Sequence, residues 1–215
     1  FRQLDAAIAP SRYLAATFEK FGLPGVQVNP LGMPACVPQP KASHRGIVFG
    51  FVGQIIARKG IEVLLQAFSR IGRDDVSLEI WGSSNDAAYL QRIVRQAGSI
   101  ANVDYKGAYT PTDLPSIFTR LDAVVVPSFM ENYPLVVQEA FMNRTPVIAS
   151  RAGGIPEVVR HDRNGLLFET GDAMDLERQL RRVIDHPDTL AAFAANIPAA
   201  RTIADDAPYY LKLYE

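Results

Sequence analysis

From residue 46 onward, short apolar runs alternate with segments of helical period, and this alternation limits the fold more than any other feature of the sequence. Strands that are buried on both faces read as continuous apolar runs, and regular alternation of strand and helix is typical of βαβ units. We therefore predict an α/β fold, with a Rossmann-like parallel sheet and helices on both faces. The predicted strands are residues 47–52, 76–81, 103–105, 124–126, 146–149 and 166–168, and the predicted helices include residues 61–71, 86–97, 112–120, 155–160, 176–184 and 189–195.

The first 42 residues do not follow this pattern. Two short apolar strands, at residues 6–9 and 26–28, flank a helix that Ser11 caps and Gly22 closes. A proline-rich connector follows, and connectors of this kind mark domain boundaries. We therefore divide the chain into residues 1–42, residues 43–200 and residues 201–215, and we expect the last segment to be the start of a truncated C-terminal helix.

The composition excludes several classes of function. The 215 residues carry a net charge of −1, so there is no basic surplus for nucleic acid or an anionic membrane. No apolar run approaches the roughly 20 residues of a membrane span. The single cysteine, Cys36, rules out an intramolecular disulfide framework and indicates a reducing, cytoplasmic compartment. We predict no metal site, because the three histidines lack metal-ligand spacing: His44, His161 and His186.

The loop after the first predicted strand of the α/β domain is suited to bind an anion. It runs from Gly53 to Gly60 and leads into a helix, so it offers backbone N–H groups and a positive helix end. Arg58 and Lys59 add cationic donors for phosphate. The loop is neither a P-loop nor a dinucleotide-binding motif, because both glycine patterns are absent. The alternative is that these are turn glycines beside two solvated cations.

The segment between residues 124 and 154 contains two candidate functional carboxylates, Glu131 and Glu139. Eight residues of continuous helix turn through about 800°, so the two side chains would not share a face. Pro134, however, is suited to the first helical position, which places Glu131 in the preceding loop. The N–H groups of Leu135 and Val136 would then point toward a phosphate, and carboxylates accept pairs of sugar hydroxyls. The alternative is one acidic residue near a helix N-terminus and one surface glutamate.

Two glycine-containing turns follow this segment. Gly153-Gly154 leads into a short helix that has proline at its start, and Asn164-Gly165 precedes a strand. We predict that both turns have structural roles rather than ligand contacts.

Taken together, these stretches resemble the donor-binding C-terminal domain of glycosyltransferase family 4 (group 1), the retaining glycosyltransferases with the GT-B fold. The matching motifs occur in order over about residues 46–185: FVGQIIARKGIEVLLQAF, LEIWGSS, VDYKGAYTPTDLPSIFTRLDAVVVPSFMENYPLVVQEAF and TPVIASRAGGIPEVVRHDRNGLLFETGD. Each motif alone is weak, but their joint order is specific. The resemblance implies that residues 1–42 are the end of an acceptor-binding domain and its linker. Because the chain also starts at Phe1, we expect a fragment.

The resemblance implies roles for individual residues. Glu131 would contact hydroxyls of the donor sugar, Glu139 would hold the ribose hydroxyls, and Lys59 would bind phosphate. These three are the predicted catalytic residues. The predicted donor-binding residues are Gly53, Gln54, Arg58, Lys59, Gly82, Ala108, Tyr109, Asn132, Tyr133, Leu135, Val136 and Glu139.

The resemblance also implies an activity. The full protein would transfer a hexosyl group from a UDP-, GDP- or ADP-linked sugar to an acceptor with retention, and it would act in polysaccharide biosynthesis. It would need no cofactor or metal. The acceptor, a sugar, a lipid-linked molecule or another compound, would bind to the domain absent here, so the fragment alone is expected to be inactive. The full-length protein is placed in the cytoplasm, with the periphery of the inner membrane as an alternative.

This sequence departs from the family pattern at several positions. Gln54 stands where an arginine is frequent, Ser84 where a second glycine is frequent, and Asn143-Arg144 where a small residue and glycine are usual. Gln54 keeps open a second hypothesis, a nucleotide-binding module of GT-B fold without transferase activity. A nucleotide-sugar epimerase is a third.

Overall fold

The protein, described by a computed structural model over residues 5–214, is built around one six-stranded sheet in which all strands are parallel. The strand order is β5-β4-β3-β6-β7-β8, so the chain adds strands on one side of β3 and then returns to add strands on its other side. The predicted parallel sheet with helices on both faces is confirmed. The strands are β1 (Ile8–Ala9), β2 (Gln27–Val28), β3 (Ile47–Val52), β4 (Val76–Trp81), β5 (Val103–Gly107), β6 (Ala123–Val126), β7 (Val147–Ser150) and β8 (Gly165–Phe168).

Helices cover both faces of this sheet and bury an apolar cluster on each side. Phe49, Leu64 and Leu180 belong to the cluster beneath α2 and α7, whereas Phe118 and Val137 belong to the one beneath α4 and α5. Burial of these side chains supplies most of the free energy that favours folding. The helices are α1 (Arg12–Lys20), α2 (Ile61–Phe68), α3 (Ala87–Gly98), α4 (Leu114–Arg120), α5 (Leu135–Met142), α6 (Ile155–Val158), α7 (Ala173–Asp185), α8 (Asp188–Ala195) and α9 (Ile203–Leu211).

Local capping determines where several helices begin. Ser11 accepts a hydrogen bond from the N–H of Leu14 and caps α1 as predicted. Thr110 and Asp113 form a capping box, so the predicted helix at residues 112–120 begins with a 3₁₀ turn before α4. Pro134 is not the first helical residue. It occupies the cap of α5 with ψ of 89°, outside the helical range, so this detail of the prediction was wrong.

The N-terminal segment forms a small unit of its own. Strands β1 and β2 pair in parallel and, with α1, enclose a minor apolar cluster around Ala9, Ala15 and Val26. Its connection to the α/β domain is polar. The Glu157 carboxylate accepts hydrogen bonds from the backbone N–H groups of Arg12 and Tyr13, at 2.9 and 2.8 Å. A carboxylate is favoured there because the helix N-terminus carries partial positive charge.

The connector and α9 hold each other in place. Asp206 is buried and accepts hydrogen bonds from Asn29 Nδ2 at 2.6 Å and from Arg201 Nη2 at 2.9 Å. Backbone hydrogen bonds join Met33 to Arg201 and Ile203 to Met33. Residues Ile203–Leu211 therefore form a helix that packs against the connector, whereas the expected truncation and the boundaries proposed at residues 42 and 200 stay predictions. Within residues 5–214, no helix is long and apolar enough to cross a membrane.

Candidate functional site

The candidate site lies where the strand order of the sheet reverses, between β3 and β6. In parallel sheets the loops that follow the two strands at such a reversal go to opposite faces of the sheet. The crevice between these loops is the usual place for a ligand. A cavity of about 270 Å³ opens at this point. It is lined by Phe51, Val52, Gly53, Gln54, Arg58, Lys59, Tyr109, Val125, Val126, Ser128, Leu135, Val136 and Glu139.

The N-terminus of α5 forms one wall of this cavity. Leu135 and Val136 are its first helical residues, and no side chain in the described part of the chain caps them. The N–H groups of a first helical turn have no partners within the helix, and the helix dipole makes this end positive. Lys59 and Arg58 line the cavity as well. The wall is therefore suited to a phosphate or diphosphate.

Glu139 faces the same cavity from inside α5. Burial raises the pKa of its carboxyl above the usual range, and the nearby Lys59 ammonium partly offsets the rise. Burial and the charge of Glu139 together raise the pKa of Tyr109 to about 12. Tyr109 thus stays a neutral phenol at physiological pH, and Glu139 is the acceptor that can hold hydroxyl groups in this part of the cavity.

Glu131 is held beside the cavity rather than in its lining. The side chain is buried, and its Oε1 atom accepts a hydrogen bond from Lys59 Nζ at 2.5 Å and another from Ser128 Oγ at 2.8 Å. The two predicted carboxylates are therefore brought close to the same lysine, but only Glu131 is bonded to it.

The turn at Gly153-Gly154 supports the loop that carries Glu131. The N–H of Gly154 donates to the backbone oxygen of Glu131 at 2.8 Å. Gly153 has φ of +54°, and a Cβ atom there would lie 1.9 Å from the same oxygen. Glycine is thus required for two reasons, the left-handed backbone and the contact. The turn has a structural role, as predicted, and that role is to hold Glu131.

Some predicted donor-binding residues lie behind the cavity or at its edge. Gly82 lies beneath the first loop, since a Cβ atom on it would be 1.9 Å from the oxygen of Gly53. Ala108 and Asn132 are exposed and outside the lining. Tyr133 reaches away toward the connector, where its hydroxyl donates to the oxygen of Leu31 at 3.4 Å. Their roles as ligand contacts stay predictions.

Ser128 was missed from the sequence. The sequence predicts a strand that stops at residue 126 and assigns no role to Ser128, yet Ser128 is 1% exposed and bonded to Glu131. A small polar residue directly after a fully apolar strand at the carboxyl edge of a sheet is the signal that would have found it. The apolar lining residues Phe51, Val52, Val125 and Val126 carry no comparable signal, because their side chains read as core.

A larger cavity, of about 500 Å³, lies at the opposite edge of the sheet. It is lined by residues that precede or begin strands, among them Gly46, Asp122 and Pro146, and by α8. Lys41 contacts it, but the Lys41 ammonium donates to the oxygens of Phe118 and Leu121 and to Thr145 Oγ1, at 2.9, 2.6 and 2.7 Å. The Lys41 ammonium is therefore committed to protein oxygens rather than available to a ligand in this cavity. Among residues 5–214, no group of three potential metal-ligating side chains is present.

The fold and the site define the class of protein. The fold is that of the GT-B glycosyltransferases, and solved structures of that fold superpose on this chain. The HepE protein of Anabaena, in complex with UDP and glucose, has a TM-score of 0.87 and 21% identity, over 100% of this chain and 64% of that one. Sucrose-phosphate synthase from Thermosynechococcus elongatus has a TM-score of 0.87 and 24% identity, over 99% and 58%.

The chain belongs to the family described as glycosyl transferases group 1, which it matches over residues 35–199. A D-inositol 3-phosphate glycosyltransferase of Corynebacterium diphtheriae is 32% identical over 192 residues, 86% of this chain and 43% of that protein. An uncharacterized glycosyltransferase of Methanocaldococcus jannaschii is 35% identical over 117 residues, 54% of this chain and 30% of that protein. The chain thus spans less than half the length of these relatives.

The support given by Gly153 can be tested by adding one methyl group. We expect Gly153→Ala to lower the free energy of unfolding by at least about 2 kcal/mol more than Gly72→Ala, as measured by urea denaturation. Gly72 is a matched control, because its φ is +60° but a Cβ atom there would meet nothing within 4 Å. Backbone strain alone costs about 1 to 2 kcal/mol at either position. Equal losses would show that the contact with Glu131 carries no energy.

Proposed function

We propose that this chain is the nucleotide-sugar donor-binding part of a retaining family 4 hexosyltransferase. One observation carries the proposal. The uncapped N-terminus of α5, the cation Lys59 and the carboxylate Glu139 line a single cavity at the switch point of the sheet. A nucleotide-sugar has a diphosphate and a ribose with two hydroxyls, which match these groups, and a second sugar, which would lie beside the cavity near Glu131.

The proposed roles follow from charge. The leaving nucleoside diphosphate gains negative charge as the glycosidic bond breaks. The α5 N–H groups are fixed donors that stabilise this charge without reorganisation during the reaction, and Lys59 and Arg58 add positive charge beside them. Glu139 would accept the ribose hydroxyls, and Glu131 would accept hydroxyls of the transferred sugar. The negative charge of the diphosphate can then be balanced without a metal ion.

A UDP-linked sugar is the first choice of donor. Support comes from HepE, whose structure contains UDP and glucose, although at 21% identity its likeness to this chain is one of fold. The acceptor is proposed to bind to a further domain that residues 1–42 would join to the donor domain. On this proposal the chain by itself binds donor but transfers no sugar. Synthesis of a polysaccharide and a cytoplasmic location belong to the same proposal.

Calorimetry with the chain as given tests the proposal. UDP-glucose, GDP-glucose and ADP-glucose would each be titrated in the presence of a chelator. We expect at least one, with UDP-glucose first, to bind with a Kd of about a millimolar or tighter, because part of the site would be contributed by the facing domain. Absence of binding by all three donors would sink the proposal.

The role of Glu139 gives a second test. We expect Glu139→Ala to weaken UDP-glucose binding by about tenfold, the loss that corresponds to about one hydrogen bond to a charged acceptor. Glu19→Ala, which removes an exposed glutamate of α1, serves as the control and should leave the affinity unchanged. If Glu139→Ala also has no effect, Glu139 does not hold the ribose.

The raised pKa of Glu139 predicts how binding depends on pH. The ionised carboxylate is the better acceptor, and burial shifts its protonation to higher pH than usual. Affinity for UDP-glucose should therefore be highest above this raised pKa and fall as the pH is lowered through it, in titrations from about pH 8 to about pH 5. The diphosphate of UDP-glucose does not titrate in this range. Glu139→Gln should flatten the profile, and an unchanged profile would assign the dependence to another group.

A further inference from the structure

Lys59 has an anionic partner in the structure, Glu131, and would have a second in the proposed complex, the diphosphate. Its ammonium donates to Glu131 Oε1 at 2.5 Å, and it also lines the cavity in which the proposed function places a diphosphate. A diphosphate carries more negative charge than one carboxylate. When the donor binds, the attraction between Lys59 and the phosphates therefore competes with the bond between Lys59 and Glu131. A buried carboxylate whose cationic partner is drawn away needs another donor to hold its position.

Ser128 is the donor that remains. Its Oγ atom donates to the same oxygen of Glu131, Oε1, at 2.8 Å. Because both donors use Oε1, Oε2 is left without a hydrogen bond from any group in residues 5–214. Oε2 is thus the atom of Glu131 that can accept a hydrogen bond from a hydroxyl of a bound sugar.

Ser128 is itself held firmly. The residue follows β6 and is 1% exposed. Its backbone oxygen accepts a hydrogen bond from Ser150 Oγ, and Ser150, at the end of β7, is fully buried. A short hydrogen-bonded series therefore runs from β7 through Ser128 to Glu131. A serine hydroxyl can donate one hydrogen bond, and Ser128 donates it to Glu131. Ser128 therefore has no second hydrogen to donate to the phosphates.

We infer that Ser128, supported by Ser150, is a positioning residue that keeps Glu131 in place while Lys59 engages the donor phosphates. This inference rests on the proposed function. Its consequence is specific: loss of the Ser128 hydroxyl weakens the contacts with the transferred sugar and leaves the contacts with the nucleotide unchanged. The ratio of the affinities for UDP-glucose and UDP is the quantity that reports it.

The test is calorimetry of UDP-glucose and UDP binding to the parent chain and its variants. For Ser128→Ala we expect the affinity for UDP-glucose to fall about fivefold, as for one lost hydrogen bond, and the affinity for UDP to stay within about twofold. Ser128→Cys keeps the volume but supplies only a weak donor, so it should give the same result if Ser128→Ala does not fold. Ser128→Thr retains the hydroxyl and should restore the parent ratio.

Ser69→Ala is the matched control. It removes a serine hydroxyl that donates to a backbone oxygen at the end of α2, and it should change neither affinity. Equal losses for UDP and UDP-glucose in Ser128→Ala and Ser128→Cys would overturn the inference, because they would mark Ser128 as a general support of the site. An unchanged ratio would overturn it too. In both cases the parent still binds, so the proposed function stands; a parent chain that binds neither UDP nor UDP-glucose removes both.

Discussion

The reversal of strand order between β3 and β6 is the constraint on which the rest of the structure depends. All six strands are parallel, so every connection must cross a face of the sheet. The connections that leave β3 and β6 cover opposite faces, and their loops separate at the carboxyl edge. The polar site lies in that gap, where the two helical layers diverge over the ends of the strands.

Within the gap, electrostatics is organised around a single lysine. Lys59 is bonded to Glu131 and also lowers the pKa of Glu139, which burial alone would raise further. Arg58 also lines the cavity, and the uncapped α5 N-terminus adds partial positive charge without a further side chain. On the proposed function, an incoming diphosphate would repel both carboxylates. An uncharged hydrogen-bond donor such as Ser128 would then help to keep Glu131 in position.

The fold was largely predictable because the patterns that specify its strands and helices lie within short stretches of the chain. Apolar runs and helical periods placed every strand of the main sheet, and β3 and β4 were placed to the residue. The bounds of β5, β6, β7 and β8 differ from the prediction by one or two residues, and larger differences occur at helix ends. The helix predicted at residues 61–71 ends at Phe68, and Pro134 caps α5 instead of starting it.

The site was predictable in part, for the same reason. Residues that belong to a motif, such as Lys59 after β3 and Glu139 in α5, were found from the sequence and line the cavity. Ser128 was not found, because its importance comes from a contact with Glu131 that no local pattern displays.

The sequence by itself determined the α/β alternation, the parallel sheet and the two loops that carry the anion-binding groups, since each depends on residues close together in the chain. Only the tertiary structure decided that Glu131 is tied to Lys59, that Gly153 supports the Glu131 backbone, and that Glu139 alone of the two carboxylates lines the cavity. These are contacts between segments far apart in sequence. Their distances are set by how the loops pack at the sheet edge, and the spacing of residues along the chain does not fix that packing.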